Sequence, residues 1–351
     1  LSTVYATSPV DVVTPFGGLK KVLGEFDLEG MFKNKIVAIK VHMGERGNRT
    51  HLHPSYTRAL VRILRDAGAK PFVTDTTTLY NGPRSTGVGY LEVAAENGFT
   101  LSSVGAPIII ADGIWGEDGV NIRIEGCRFE DSLIGRILYE AEGFIVLSHC
   151  KGHLTSGFGG AVKNVAMGFA AKKLKAFMHK VNQPRLNLET CNGCGFCVKA
   201  CGFNAITLSN GKAKINYDRC VGCGSCIASC PTGSLTMSTE LLEEFNKRLG
   251  ECCGGILEAL KDKPFIFVNV AEKITKLCDC VSGLNELIAK DSGIFASQDP
   301  VALDHASIVE IEKNLLGFKN LKEVNNVDPK IHLKAAEKFG VGKLNFTLKR
   351  V

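Results

Sequence analysis

The sequence has no apolar stretch near the ~18 uncharged residues a membrane-spanning helix needs; "APIIIADGIW" is far too short. Its first residues, "LSTVYATSPVDVV", lack the basic start and apolar block of a secretory signal, so the cytoplasm is the expected compartment. Long polar low-complexity runs are also missing. With 45% hydrophobic and 22% charged residues, that absence points to a folded globular chain. Neither the Walker loop, which needs Gly-Lys-Ser/Thr, nor the spaced-glycine dinucleotide fingerprint occurs. Acidic residues are absent from Lys163 through Arg185, where six Lys or Arg fall. Such a run is usually a solvated face, but it could also offset nearby negative charge or guide an acidic electron donor.

Cysteine is what the chain has in quantity. Eight of its 14 cysteines fall in two near copies, "CNGCGFCVKAC" at 191–201 and "CVGCGSCIASCP" at 220–231. Both read C-x-G-C-G-x-C-x3-C, a spacing for metal ligation by reduced thiols at low oxygen rather than for disulfides. Three cysteines at intervals of two wrap one iron–sulfur cubane, and a fourth beyond a short helical turn is aimed at the other. Gly193, Gly195, Gly222 and Gly224 let backbone amides come close to the sulfurs. Two structural zinc ions are the plainer alternative, but zinc sites usually pair two CxxC knuckles across a longer spacer. The formal charge is +6. Two oxidised four-iron clusters with their thiolates add about −2 each and leave roughly +2, which removes the main support for nucleic-acid binding.

This run resembles bacterial two-cluster ferredoxins over about residues 185–238. The resemblance implies that Cys191, Cys194, Cys197 and Cys230 hold one [4Fe-4S] cluster, and Cys220, Cys223, Cys226 and Cys201 the second. Pro231 follows its cysteine as the pattern expects. Gly202 stands where the other half would have proline, and its retained amide suggests an extra N–H to sulfur bond.

Outside this segment, β-branched runs alternate with helical patterns, which predicts an α/β architecture with a mainly parallel sheet. The expected strands are 35–43, 70–77, 107–112, 142–150 and 263–270. Between the first two, Leu60, Ile63, Leu64 and Ala67 recur at helical spacing up to Gly68. Asp299-Pro300 reads as an N-cap and first helical position, Asp328-Pro329 as a second helix start closed by Gly340, and "KLNFTLKRV" as a final edge strand.

Chemistry-bearing residues follow several of the strands: His42, then Asp75 with Thr76 and Thr77, then Asp112, then His149-Cys150-Lys151-Gly152-His153, and farther on Cys278-Asp279-Cys280. In an open parallel sheet all carboxyl ends share one edge, where ligands bind. Any one of these residues could be a mere cap or turn residue; the set implies a common crevice. His51 and His53 read as surface loop residues. The turn Gly157-Phe158-Gly159-Gly160 feeds a helix from about Ala161, and its free amides, with Lys163 and Asn164 in the first turn, suggest an anion site. Cys278 and Cys280 could share an additional metal with ligands from elsewhere, such as His149, Cys150 or His153; inert loop thiols are the competing reading. Cys252, Cys253 and Cys127 read as small apolar fillers.

Taken together, "VAIKVHMGERGN", "FVTDTTTLYNGPRSTG", "ADGIWGEDG", "LSHCKGHLTSGFGGAVKNVAMG", "CDC" and "GIFASQDPVALDHAS" resemble the DUF362 family of iron–sulfur centre proteins. The resemblance implies one α/β domain in two parts, 1–184 and 239–351, interrupted by the ferredoxin-like insert 185–238. It also draws attention to Lys40, Asp299 and Asp304.

The function expected is an iron–sulfur oxidoreductase. It would pass electrons between a soluble carrier of ferredoxin or flavodoxin type and a small, anionic substrate, with no nucleic acid or membrane partner. In that reading His153, His42, Lys151 and Asp75 are catalytic. Lys163, Asn164, Lys40 and the Gly157, Gly159 and Gly160 amides bind substrate. The sequence specifies no flavin and is compatible with one. Two alternatives stay open: an electron-transfer subunit of a larger redox complex, and a non-redox enzyme with structural clusters.

Overall fold

The computed structural model describes residues 1–122 and 132–351; Cys127 lies outside the described residues. Five strands begin with or after a short loop and run through buried β-branched or apolar residues. They are β2 (Ile36–Val41), β3 (Lys70–Asp75), β4 (Ile108–Ile110), β5 (Gly143–His149) and β6 (Phe265–Ala271). β1 (Ser2–Ala6), β7 (Gly293–Ser297) and β8 (Phe346–Arg350) complete an eight-stranded sheet of order β8-β1-β7-β6-β5-β2-β3-β4. Neighbouring strands from β6 through β4 are parallel, and β8 pairs parallel with β1. β7 alone runs antiparallel, to both β1 and β6.

Every residue of β5 is buried, as a strand covered on both faces requires. Its alternate side chains feed two cores: Ile145 and Leu147 join one apolar cluster, Phe144 and Val146 the other. The first cluster is sealed by α1 (Pro54–Asp66), whose Leu60, Ile63 and Leu64 face the sheet. His53 caps it, accepting from Ser55 N–H, and Pro54 occupies its first turn. On the other face lie α2 (Ala161–Gly168), α3 (Lys172–His179), α4 (Thr239–Ala259), α5 (Pro300–Glu312) and α6 (Ile331–Phe339), with Cys252 and Cys253 buried as apolar fillers. The fold is thus α/β with a mainly parallel sheet, as the strand pattern predicts. β8 lies at the sheet edge, and Gly340 closes α6 at φ 101°.

The segment between α3 and α4 has its own small core of Cys191, Cys197, Ile206, Ala213, Cys226 and Leu235. Arg185–Leu186 pairs antiparallel with Leu235–Thr236, bringing its two ends side by side. Between them lie the hairpin Ile206–Ser209/Lys212–Ile215 and two short helices, Phe196–Ala200 and Ser225–Ala228, each built on the last cysteine of a triple.

Candidate functional site

Because β2 through β6 are parallel, their carboxyl ends open at one sheet edge, and a cavity of about 370 Å³ lies there. It is lined by Lys40 and His42 from β2 and its loop, Asp75 from β3, and His149, Lys151 and His153 from and after β5. Lys163 and Asn164 come from α2, and Cys278 and Cys280 from the loop after β6. Gly222, Cys223, Gly224 and Ser225 of the cysteine-rich segment line the same cavity.

The cavity floor is a buried ion pair. Lys40 Nζ lies 2.8 Å from Asp75 Oδ1 and donates to Asn164 Oδ1 at 2.6 Å. Asp75 also accepts from the Tyr90 hydroxyl and from Thr76 N–H at 2.8 Å. Burial alone would raise Asp75, but Lys40, His42 and Tyr90 together hold its carboxyl below its ordinary value. A carboxylate so saturated and so acidic is a poor proton acceptor, so Asp75 is a positioning group rather than the catalytic one expected. Lys40 is engaged with Asp75 and Asn164, and Asn164 also donates to Leu147 O at 2.9 Å, so neither is free for substrate.

His42 Nδ1 lies 3.0 Å from Gly44 N, and its Nε2 lies 3.4 Å from Cys280 Sγ. Burial lowers the pKa of His42. Arg84, fully buried, sets Nη1 3.0 Å from that nitrogen, pairs through Nε with Glu45 at 3.0 Å, and donates to the Tyr80 hydroxyl. Across the cavity, Lys151 donates to Asp279 and lies 3.1 Å from His149 Nδ1. His149 Nε2 donates to Glu272 O at 2.7 Å, and burial and Lys151 push this ring down to about 3, so it is neutral. Burial brings Lys151 to about 7, although Cys278 and Cys280 oppose the shift.

His153 Nδ1 accepts from Thr155 N–H at 3.2 Å and Ser156 N–H at 3.1 Å, which leaves its proton on Nε2. Burial and Lys163 keep the ring neutral, well below its ordinary pKa. Lys163 has neither a hydrogen-bond nor an ion-pair partner among the described residues. Lys175, from the basic run, is buried rather than solvated: Nζ donates to Thr76 Oγ1 at 2.7 Å and to Thr77 O, and burial lowers it to about 8. Since Lys40, Arg84 and Lys151 are paired with carboxylates, Lys163 and Lys175 give the cavity a cationic surplus.

Several expected roles change. The amides at the start of α2 are not open to a ligand. Asp304 occupies them, accepting from Ala161 N–H at 2.7 Å and Val162 N–H at 2.9 Å, with Asn269 Nδ2 at 2.8 Å. Burial pushes Asp304 up to about 6 against these donors. Gly160 admits it, since a Cβ there would fall 2.4 Å from Asp304 Oδ1. Gly157 turns at φ 71° against Val327 O, and Gly159 only lines the wall. Asp304 thus takes the Ala161 and Val162 amides at the helix start, while Gly159 and Gly160 line the cavity.

Asp299 caps α5 through Val301 and Ala302 N–H, both 2.9 Å, and because β7 is antiparallel it sits at the opposite sheet edge. Asp112 accepts from Thr77 N–H at 2.9 Å, and His51 and His53 make loop and cap contacts. Cys150 is in the core and cannot join Cys278 and Cys280. Among the described residues no three His, Cys, Asp or Glu side chains gather closely enough for one metal ion, so Cys278 and Cys280 have no completed ligand set.

The eight repeat cysteines divide as their spacing and the ferredoxin resemblance imply. Cys191, Cys194, Cys197 and Cys230 line one small cavity. Cys223, Cys220 and Cys201 are the thiols that act on Cys226. Sulfur acceptors meet backbone donors in both halves: Ala213 and Gly193 amides lower Cys191, and Ala205 N–H lies 3.3 Å from Cys201 Sγ. Against burial, the Thr232 hydroxyl and nearby amides bring Cys230 to about 7. Gly193, Gly195, Gly222 and Gly224 all have φ between 70° and 80°. Cysteine sets of this kind, with amides aimed at sulfur, fit iron–sulfur ligation. Gly202 has a packing role: a Cβ would meet the Cβ of Asn81 at 2.7 Å, so the glycine allows close docking on the host.

Arg84, Tyr80, Glu45, Lys175 and Tyr90 were not singled out by sequence. Arg84 and Tyr80 do lie in the motif "FVTDTTTLYNGPRSTG", which was the available signal.

A mainly parallel α/β domain with a ferredoxin-like segment opening onto its strand-end cavity defines the class. The chain belongs to the DUF362 family, described as a domain of unknown function, whose sequence model matches residues 37–309. Over 40 residues it is 48% identical to the ferredoxin-type protein NapF of Haemophilus influenzae, a match covering 11% of this chain and 23% of that one. Among solved structures, the lactate racemase apoprotein from Thermoanaerobacterium thermosaccharolyticum is similar over 77% of this chain and 50% of its own, at 15% identity and TM-score 0.37. A Thermotoga maritima protein is similar over 92% and 60%, at 13% identity and TM-score 0.43. The chain thus spans less than a quarter of the matched NapF and between half and two thirds of either structure. No helix among the described residues is long and apolar enough to cross a membrane.

Proposed function

We propose that this chain is an iron–sulfur oxidoreductase acting on a small anionic substrate in the strand-end cavity. The observation that carries the reading is that one cavity is lined both by Cys223 with its flanking glycines and by Lys163, His153 and His42. Cys191, Cys194, Cys197 and Cys230 would hold one [4Fe-4S] cluster, and Cys201, Cys220, Cys223 and Cys226 the other. When bound, such clusters supply one-electron transfer. Cys194 is exposed, so the first set faces solvent, where a soluble carrier of ferredoxin or flavodoxin type docks. The second set faces the cavity.

The chain's own residues then bind and protonate. Lys163 attracts the anion, and Lys175 adds positive charge behind Thr76 and Thr77. His153 Nε2–H and Lys151 are placed to donate protons as the substrate gains charge, Lys151 with a pKa of about 7, suited to exchange near neutrality. Lys40, Asp75 and Asn164 hold the floor rigid.

Anaerobic iron and sulfide analysis, followed by viologen-coupled turnover with small carboxylate and disulfide acceptors, tests the reading. About eight iron per chain and acceptor-dependent oxidation of reduced viologen, with KM raised in Lys163→Ala, are expected. Eight iron with no acceptor consumed would leave an electron-transfer subunit instead.

A further inference from the structure

Cys278 and Cys280 are not absorbed by that scheme, and their geometry is specific. Val281 N–H donates to Cys278 O at 3.1 Å, closing a tight turn. The turn places Cys278 and Cys280, two residues apart, on the wall of the same cavity. The residue between them has its carboxylate held by Lys151 and its carbonyl by Glu45 N–H at 2.9 Å. The turn is thereby anchored at Asp279, and Cys278 and Cys280 both line the cavity. His42 Nε2 is 3.4 Å from Cys280 Sγ, with the Arg84 guanidinium beside it, so nearby positive charge favours a thiolate at Cys280. Burial among apolar side chains, the usual fate of a structural thiol, is absent here: both are partly exposed.

We propose that Cys278 and Cys280 form a reversible dithiol–disulfide pair that exchanges with a small anionic disulfide in the cavity. Cys280 thiolate attacks the substrate S–S bond, forming a mixed disulfide and expelling one substrate thiolate. Cys278 then attacks the Cys280 sulfur, breaking the mixed bond and expelling the second thiolate. The substrate gains two electrons and the pair loses two; the Cys278 proton ends on one released thiol, and the other leaves as the thiolate that replaces the Cys280 charge. Return to the dithiol takes two electrons and two protons, from an external dithiol or from two successive deliveries by a low-potential one-electron donor. The substrate class rests on the cationic cavity of the proposed function, whereas the exchange itself needs only the turn.

The test uses the full chain, purified and handled anaerobically. The protein is exposed to dithiodiglycolate or to uncharged bis(2-hydroxyethyl) disulfide, quenched with iodoacetamide, and the tryptic peptide running from Leu277 to Lys290 is weighed. The expected result is simultaneous loss of both alkylations with loss of two hydrogens. Dithiodiglycolate should react roughly tenfold or more faster than the neutral reagent, and Lys163→Met should abolish that preference. Cys278→Ser should trap the mixed disulfide on Cys280. Two independently alkylated cysteines, or one reagent adduct on each, would overturn the pair. Equal rates for both reagents would overturn the anionic substrate. A pair that forms in protein lacking about eight iron would sink the electron-transfer reading and leave this one standing.

Discussion

Lys40 and Asp75 sit on neighbouring parallel strands and close a fully buried ion pair, 2.8 Å between Nζ and Oδ1, beneath the cavity. Asn164 and Tyr90 complete its hydrogen bonds. Removing either partner alone strands a charge in the interior. Lys40→Met and Asp75→Leu should therefore each lower unfolding stability by about 3–5 kcal/mol, and the double variant should recover much of that loss. Urea denaturation of the four proteins checks it; additive losses would mean that the pair is not coupled.

Gly222 and Gly224 share the same left-handed backbone but not the same surroundings. A Cβ at Gly222 would fall 1.9 Å from His179 O, while at Gly224 nothing lies within 4 Å. Gly224→Ala should cost only the backbone penalty, about 1–2 kcal/mol. Gly222→Ala should also push the second cysteine loop off the host domain, reducing iron from about eight to about four per chain while the set containing Cys191 remains loaded. Iron analysis and visible absorption of the two variants separate the effects.

Three buried histidines set the acid limit of the fold. Burial, with Lys151 or Lys163 nearby, lowers His149 and His332 to about 3 and His179 to about 4. Each binds its proton more weakly when folded than when unfolded. Their contribution is thus fully present above the unfolded value of about 6.5 and is lost as pH falls toward about 3. Thermal unfolding followed between pH 7 and pH 4 should show a steadily falling midpoint. His332, whose ring nitrogens both lack hydrogen-bond partners among the described residues, is the simplest to isolate: His332→Leu should flatten part of that slope.

Five strands were legible in sequence because a parallel sheet covered on both faces demands nearly continuous apolar runs, and β5 is buried throughout. β1 and β7 were not. "STVYA" mixes polar and apolar residues, and "GIFAS" has one β-branched residue and is flanked by a motif that reads as a helix start. The convergence of His42, Lys151, His153 and Cys278 was readable for a topological reason, since all follow parallel strands. What resisted was long-range pairing. Nothing local shows that Asp304 will cap a helix that starts 143 residues earlier, or that Lys175, in a run rich in lysine, turns inward to Thr76. Arg84 belongs with these: a charge is buried only when partners distant in sequence, here Glu45, are already assembled.

Arg185–Leu186 lies hydrogen-bonded beside Leu235–Thr236, so the cysteine-rich stretch departs from and rejoins the larger body through a single narrow doorway. The path of the remaining chain is consequently indifferent to how many residues the detour takes. A short loop across that doorway would give a host without its metal-binding cassette, and a longer cassette could be accommodated there without redrawing the sheet.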